Sequence, residues 1–486
     1  WDLGIPSLGA NIIIPTGLTN YPELEINPTI NNITVATGTS VEIPANQTFT
    51  INGSLTNNGT INIGSTASGD GSLLISGTIS GSGTYNVNRY LAASKWHLVS
   101  SPITTGLSGV FENIWLRPYN EATNAFGEYI VPTTIPMPTG QGFSVWTNTA
   151  NEIRTFSGLI NHGTVTPSIQ LTGTAGPSTG WNLIGNPYPS AIDWNAASGW
   201  TKTNVGSTIY VWNNNQYATW NGSVGTNGGS RYVAMEQGFF VQASAAGAAI
   251  SMNNSVRLHN SVSYLKNVNE EPADIIRVNV SINNNSDETV IAFNSNGSDN
   301  FNFETDAVKL PGSTSSPQMH TTKNDNSPLA ISTLNAPENV VGKYVYIDYA
   351  ETGTHQLLFT HTLTGNYIPR LYDNVKQTIV EPNTPYTFNA SVGDPSSRFQ
   401  FVESTPLSVS NTAENTNLTV WESNRMLYII NPADEQIKQI QIYSADGRLV
   451  CRGDQPATDL RNLSSGIYVV KVITTKKTQV QKITVK

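Results

Sequence analysis

The chain has 486 residues, enough for roughly three or four domains, yet only 12% are charged and the net charge is −9. No basic patch stands out that would neutralise phosphates, which argues against nucleic acid as a partner. A single cysteine, Cys451, excludes an internal disulfide framework.

Gly, Asn, Ser and Thr are plentiful, and the apolar residues favour Val, Ile, Tyr and Trp. Helical periodicity is almost absent, so an all-β, multidomain chain is expected. Neither a signal peptide nor an apolar run of membrane-spanning length is visible. The chain opens on Trp1 rather than Met, so a processed or truncated mature form is expected.

Residues 1–90 carry apolar pairs at alternating positions: Ile33 and Val35, Val41 and Ile43, Phe49 and Ile51, Ile61 and Ile63, Leu73 and Ile75, Tyr85 and Val87. Asn/Gly turns separate them into strand–turn units of roughly ten residues, which favours a β-solenoid over an ordinary hairpin sheet.

Residues 91–265 repeat themselves. Trp96-His-Leu-Val-Ser-Ser-Pro102 is echoed by Trp181-Asn-Leu-Ile-Gly-Asn-Pro187, and Gly140-Gln-Gly-Phe-Ser-Val145 by Glu236-Gln-Gly-Phe-Phe-Val241. Two copies of one β unit packed as a sandwich is the simplest account. A polar break at Lys266–Asp274 leads into residues 275–403. There Ile276–Ile282 and Glu288–Phe293 alternate cleanly around an Asn-rich turn, and a third β region, a sandwich of immunoglobulin-like or jelly-roll type, is expected. A Ser/Thr/Asn/Pro-rich linker at 404–416 precedes a last module at 417–486. Its short strands are separated by the turn signals Asn431-Pro432, Asp446-Gly447 and Ser465-Gly466.

That last module carries Asn431-Pro432, then Ile440-Gln-Ile-Tyr-Ser-Ala-Asp446-Gly447-Arg448-Leu-Val450, then Leu460-Arg-Asn-Leu463-Ser-Ser-Gly466-Ile-Tyr-Val-Val-Lys471, and closes on Gln481-Lys-Ile-Thr-Val-Lys486. In this order the motifs resemble the type A C-terminal sorting domain of the Bacteroidetes type IX (Por) secretion system. The resemblance implies a small β-sandwich acting as an export signal. It assigns that role to Asp446, Gly447, Arg448, Leu463, Gly466, Tyr468, Val470, Lys471, Lys482, Ile483, Val485 and Lys486. It further implies an outer-membrane shuttle barrel, a translocon and a surface sortase as partners, and a destination outside the cell or on its surface. Terminal strands suit such a task physically, because a sheet edge offers unpaired N–H and C=O groups to a partner strand. The upstream Trp-His-Leu-Val-Ser-Ser-Pro and Gln-Gly-Phe-Phe-Val segments resemble stretches common in secreted Bacteroidetes proteins, which implies no activity.

The search for catalytic chemistry is less productive. Gly176-Pro-Ser178-Thr-Gly180 matches the G-x-S-x-G pattern, but a strand pattern follows it where a nucleophile elbow needs a helix. The histidines are scattered without metal-ligand spacing, so no zinc site is expected. Asn294, Asn296 and Asp299 form an oxygen-rich loop that makes a weak Ca²⁺ candidate, with Asp70 weaker still. No carboxylate pair is placed for glycosidase chemistry, Asp193 and Glu236 being the nearest. Eight of the ten tryptophans fall between Trp96 and Trp220. Among them Trp212 and Trp220, with Tyr217, are candidates for stacking on sugar rings, and the Asn213–Gln216 run would supply amide hydrogen bonds. The expectation is therefore a non-enzymatic secreted protein with adhesive or structural upstream domains. A carbohydrate-binding module is the alternative, and a polysaccharide-acting hydrolase comes third.

Overall fold

A computed structural model describes residues 6–260, 274–365, 367–403, 419–423, 425–430, 436–475 and 478–485. The chain forms two compact units, residues 1–404 and 405–486, and the described residues contain strands and short 3₁₀ turns but no α-helix. The expected linkers, and with them Asn431-Pro432, lie outside or almost outside the described residues.

The first unit begins as a β-solenoid with three parallel ladders. One stacks Ile12–Ile14, Ile33–Val35, Leu55–Asn57 and Ile79–Ser80. A second stacks Thr29–Ile30, Thr48–Ile51 and Ser72–Ile75, and the third Ser40–Ile43, Thr60–Ile63 and Thr84–Leu91. Ile12 lies opposite Ile33 and Ile33 opposite Leu55, so a full three-sided rung takes 21 to 22 residues and each side about seven, shorter than the ten-residue unit expected from the sequence. In-register stacking makes columns of like residues: Val41–Ile61–Tyr85, Ile43–Ile63–Val87 and Phe49–Leu73, all buried. Burial of each such side chain is worth about 1.5–3 kcal/mol. The corners are tight. A Cβ on Gly77 would lie 2.4 Å from the carbonyl oxygen of Gly53 on the rung beside it, so only glycine fits there.

A solenoid needs its last rung covered. Here Thr84–Leu91 pairs antiparallel along its other edge with Glu152–Gly158 of the duplicated region, and one core runs from Ile14 through Phe156 to Met235. The solenoid also docks sideways. Arg257 Nη2 donates to Leu73 O at 2.6 Å, and the ring nitrogens of His259 lie 2.8 Å from Thr50 Oγ1 and 2.8 Å from Ser72 Oγ. The segments distinguished in the sequence as 1–90 and 91–265 thus share a core.

The duplication is visible in space. In the first copy Gly142–Trp146 pairs with both Trp96–Ser100 and Trp115–Asn120. In the second, Gly238–Gln242 pairs with Trp181–Gly185 and Ile209–Asn213. The copies join reciprocally: Gln141 bridges Ile184, and the equivalent Gln237 bridges Val99. Gly185 N–H donates to Gly140 O at 2.8 Å, and Ser100 N–H to Glu236 O at 2.9 Å. Glu236 therefore stands where the first copy has Gly140, and both have left-handed backbone, with φ of +57° and +78°.

Residues 275–403 form one long curled sheet. Ile275–Ile282, Gly353–His361 and Tyr386–Ala390 lie toward one end, and Tyr344–Asp348, Phe399–Val402 and Arg370–Asp373 toward the other. Both ends contribute to one core through Phe359, Phe388, Val345, Phe399 and Phe401, which gives the sheet its sandwich character. Val290, Leu329 and Ile331 instead pack with Trp181, Tyr210 and Phe240 of the second copy.

The second unit is a small β-sandwich. Thr419–Ser423, Met426–Ile430 and Ala457–Asp459 make one sheet, and Leu449–Gly453, Ile437–Ser444, Gly466–Thr474 and Thr478–Val485 the other. Its core gathers Val420, Leu427, Ile440, Ile442, Tyr468, Val470, Val472, Ile483 and Val485.

Candidate functional site

In the terminal module, the Asp446-Gly447 turn joins Ile437–Ser444 to Leu449–Gly453. Gly447 has φ of +81°, which explains the glycine, and its N–H donates to Ser444 O at 2.9 Å. The Ser444 hydroxyl donates to the Asp446 carboxylate and holds its pKa below the usual value, with a further contribution from the Arg448 N–H. Leu463 is part of a turn packed on the core; its N–H donates to Leu460 O at 2.9 Å and its carbonyl accepts from Arg425 Nη1 at 3.0 Å. Gly466 opens the next strand opposite Val485 without a left-handed φ, and a Cβ there would meet only Tyr468 Cε2 at 3.8 Å, so neither backbone nor space demands glycine. Tyr468 donates its hydroxyl to Ser464 O at 2.9 Å and packs, with Val470, Ile483 and Val485, inside the sandwich. Lys486 lies outside the described residues.

Lys471 and Lys482 project from the opposite face, where Lys471 pairs with Val480 and Lys482 with Val469. Ile467 and Val480 on that face are each 46% exposed. The strand Gly466–Thr474 is internal to its sheet, hydrogen-bonded on both sides, whereas Thr478–Val485 is an edge. Of the two terminal strands, only the last has backbone groups left to offer within its sheet.

The first unit places the aromatic candidates at different depths. Trp220 is buried in the core beside Phe239, and its indole N–H donates to Asn195 Oδ1 at 3.1 Å. Tyr217 packs edge-to-face on Trp212, with ring centroids 5.0 Å apart, and on Phe240. Trp212 itself lines a cavity of about 320 Å³ between the two copies, facing Trp96, Tyr90, Lys95, His97 and Asn214. This lies within the size range of ligand sites. The Trp212 indole N–H has no acceptor among the described residues. Lys95 Nζ donates to Asn214 Oδ1 at 2.6 Å. Burial pushes the pKa of His97 down to about 4, so the ring is neutral; Nε2, 3.0 Å from Ala92 O, must carry the proton because a carbonyl only accepts.

The hairpin turn after Trp212 separates this aromatic cavity from a polar one of about 340 Å³. Asn213 and Asn214 line both, and Asn215, Asn279, Asn284 and Asn285 line the second. Asn214 has φ of +55°, a conformation asparagine tolerates in a two-residue hairpin loop. Lys95 and Trp96 went unselected in the sequence. The only signal for them was that Trp96-His-Leu-Val is the mate of Trp181-Asn-Leu-Ile, and nothing marked which copy faced outward.

The residues weighed for other chemistry are occupied elsewhere. Asp193 accepts from Arg231 Nε and Nη2, each at 2.7 Å, and Glu236 is wholly buried with neither carboxyl oxygen hydrogen-bonded among the described residues. Ser178 lies in a loop whose carbonyls at Gly176, Pro177 and Thr179 accept from Gln242 Nε2, and the strand Trp181–Gly185 follows. Asn294 Oδ1 accepts from Asn296 N–H at 2.9 Å, while Asp299 pairs with Lys343 Nζ at 2.5 Å. Asp70 accepts from Ser65 Oγ at 2.5 Å.

Comparison with known proteins finds no match among curated sequences. Residues 423–486 match the secretion system C-terminal sorting domain. The protein is therefore cargo of the type IX secretion system, carrying a C-terminal sorting signal that directs it through that machinery to the cell surface or extracellular space. Residues 1–402, most of the chain, match the model described as domain of unknown function DUF8693, and the chain belongs to that family.

Proposed function

We propose that the protein is an extracellular carbohydrate-binding body, adhesive rather than catalytic, delivered by its terminal module. The observation that carries this reading is the pair of cavities around Asn213 and Asn214, one walled by Trp96 and Trp212 and the other by side-chain amides. Indole faces stack on the C–H faces of sugar rings, and amides hydrogen-bond their hydroxyls in either direction. A binding role is supported by the carboxylates: Asp193 is neutralised by Arg231 and Glu236 is sealed from solvent, so neither is available to a substrate. On the export side, the edge strand Thr478–Val485 is the element offered to an outer-membrane shuttle barrel by β-augmentation, with translocon and sortase acting afterwards.

The test is a glycan array probed with the full chain and with Trp212→Ala. Binding to a set of glycans that disappears in the variant supports the reading. Absence of glycan binding by the wild type refutes it and leaves a structural or protein-adhesive role.

A further inference from the structure

The proposed glycan site extends well beyond the two cavities, and the extension defines the ligand. In the first copy's sheet, Trp96 is the register partner of Trp146, and Trp146 is the register partner of Trp115. Cross-strand partners in register share a face, so three tryptophans stand side by side on consecutive strands. The Trp96 and Trp146 ring centroids are 5.3 Å apart, and the Tyr129 ring centroid lies 5.0 Å from that of Trp115 and 5.7 Å from the Arg117 guanidinium. Trp115 is 50% exposed and Tyr129 43%, an unusual degree of exposure for adjacent large aromatics. Trp96 belongs to both the row and the aromatic cavity. With strands about 4.8 Å apart, Trp96 and Trp115 are separated by about 10 Å, of the order of a disaccharide's length.

We propose that this row and the aromatic cavity form one groove for a single β-linked polysaccharide chain, a reading that rests on carbohydrate binding by this unit. The chain would cross Trp115 and Trp146, pass between Trp96 and Trp212, and end at the Asn213–Asn214 turn. Equatorial hydroxyls leave both faces of such sugars apolar, which suits a row of rings. The rings are tilted by 58° and 56° within their pairs rather than coplanar, which matches a single twisted chain and not a flat crystalline surface. The cations near the row are engaged: the Arg117 guanidinium lies 4.4 Å from the Trp96 ring centroid and 4.6 Å from that of Phe126, and Lys95 holds Asn214.

Calorimetric titration of the full chain with β-1,4-linked gluco-, manno- and xylo-oligosaccharides, from disaccharide to hexasaccharide, and with polygalacturonate, tests this. The hexasaccharide of at least one series should bind about ten-fold or more tighter than its disaccharide. Trp115→Ala, at a half-exposed position, should erase that gain without lowering the melting temperature. Asn214→Ala and Trp212→Ala should weaken both lengths. Affinity independent of length, or an unchanged hexasaccharide affinity in Trp115→Ala, overturns the groove while binding sensitive to Trp212→Ala preserves the glycan-binding reading. Binding of polygalacturonate, an α-linked chain, alone overturns the β-linked ligand, and binding of no saccharide overturns both proposals.

Discussion

Replacing Glu236 by glutamine should stabilise the first unit, and increasingly so as pH rises. The side chain is wholly buried and its carboxyl oxygens have no hydrogen-bond partner among the described residues. Burial raises its pKa well above the ordinary 4.5; Arg89 opposes the shift and Asp70, itself raised by burial, adds to it. The sign follows from proton counting. Above pH 4.5 the unfolded chain releases a proton that the folded protein retains, so stability falls with rising pH, by about 1.4 kcal/mol per unit until the raised folded value is reached. Glutamine keeps the shape and removes the titration. The gain should be near zero at pH 4 and grow by up to about 1.4 kcal/mol per pH unit above 4.5, or about 1 to 2 °C in melting temperature per pH unit for a unit of this size. The half-buried His97 and His259 act oppositely: their pKa values are lowered to about 4, so they cost stability as pH falls below 6.5. The readout is therefore the difference between variant and wild type, followed by calorimetry from pH 4 to pH 8. A difference that does not change with pH would refute the reasoning.

Two further stability predictions concern different parts of the first unit. Lys323 and Asp306 are a fully buried pair at 2.8 Å, with the lysine also donating to Thr333 O at 2.9 Å; Lys323→Met should cost about 3–5 kcal/mol by leaving the carboxylate unpaired, measurable as a lowered melting temperature. Gly77→Ala should cost about 1–3 kcal/mol, because its Cβ meets backbone of the adjacent rung, whereas Gly247→Ala, with no atom within 4 Å of its Cβ, meets only the strain of its left-handed φ; melting curves of the two should separate.

What the sequence made legible was periodicity and order. Alternating pairs such as Val41 and Ile43 predicted strands whose inner residues stack, and the Trp96 and Trp181 segments predicted the duplicated β unit. The terminal motifs identified the sorting domain because they are local and ordered. Contacts between distant segments were not legible. Trp212 and Trp220 sit at the two ends of one hairpin with similar local patterns, yet Trp220 is covered by Phe239 and Asn195 while Trp212 borders a cavity closed by Trp96. The Trp96–Trp146–Trp115 row depends on strand register, which no single segment encodes. Glu236 at the place of Gly140 was visible in the repeat, but its left-handed backbone and burial only became apparent from the pairing of the two copies.

The most direct test of the account is the fate of the chain when its edge strand is removed. Deleting residues 478–486 in a cell with an intact type IX system, and quantifying the first unit in periplasmic, surface and medium fractions, isolates the terminal address from the cargo. The account predicts periplasmic retention of a first unit that still melts cooperatively. Surface or extracellular accumulation at the wild-type level would contradict it.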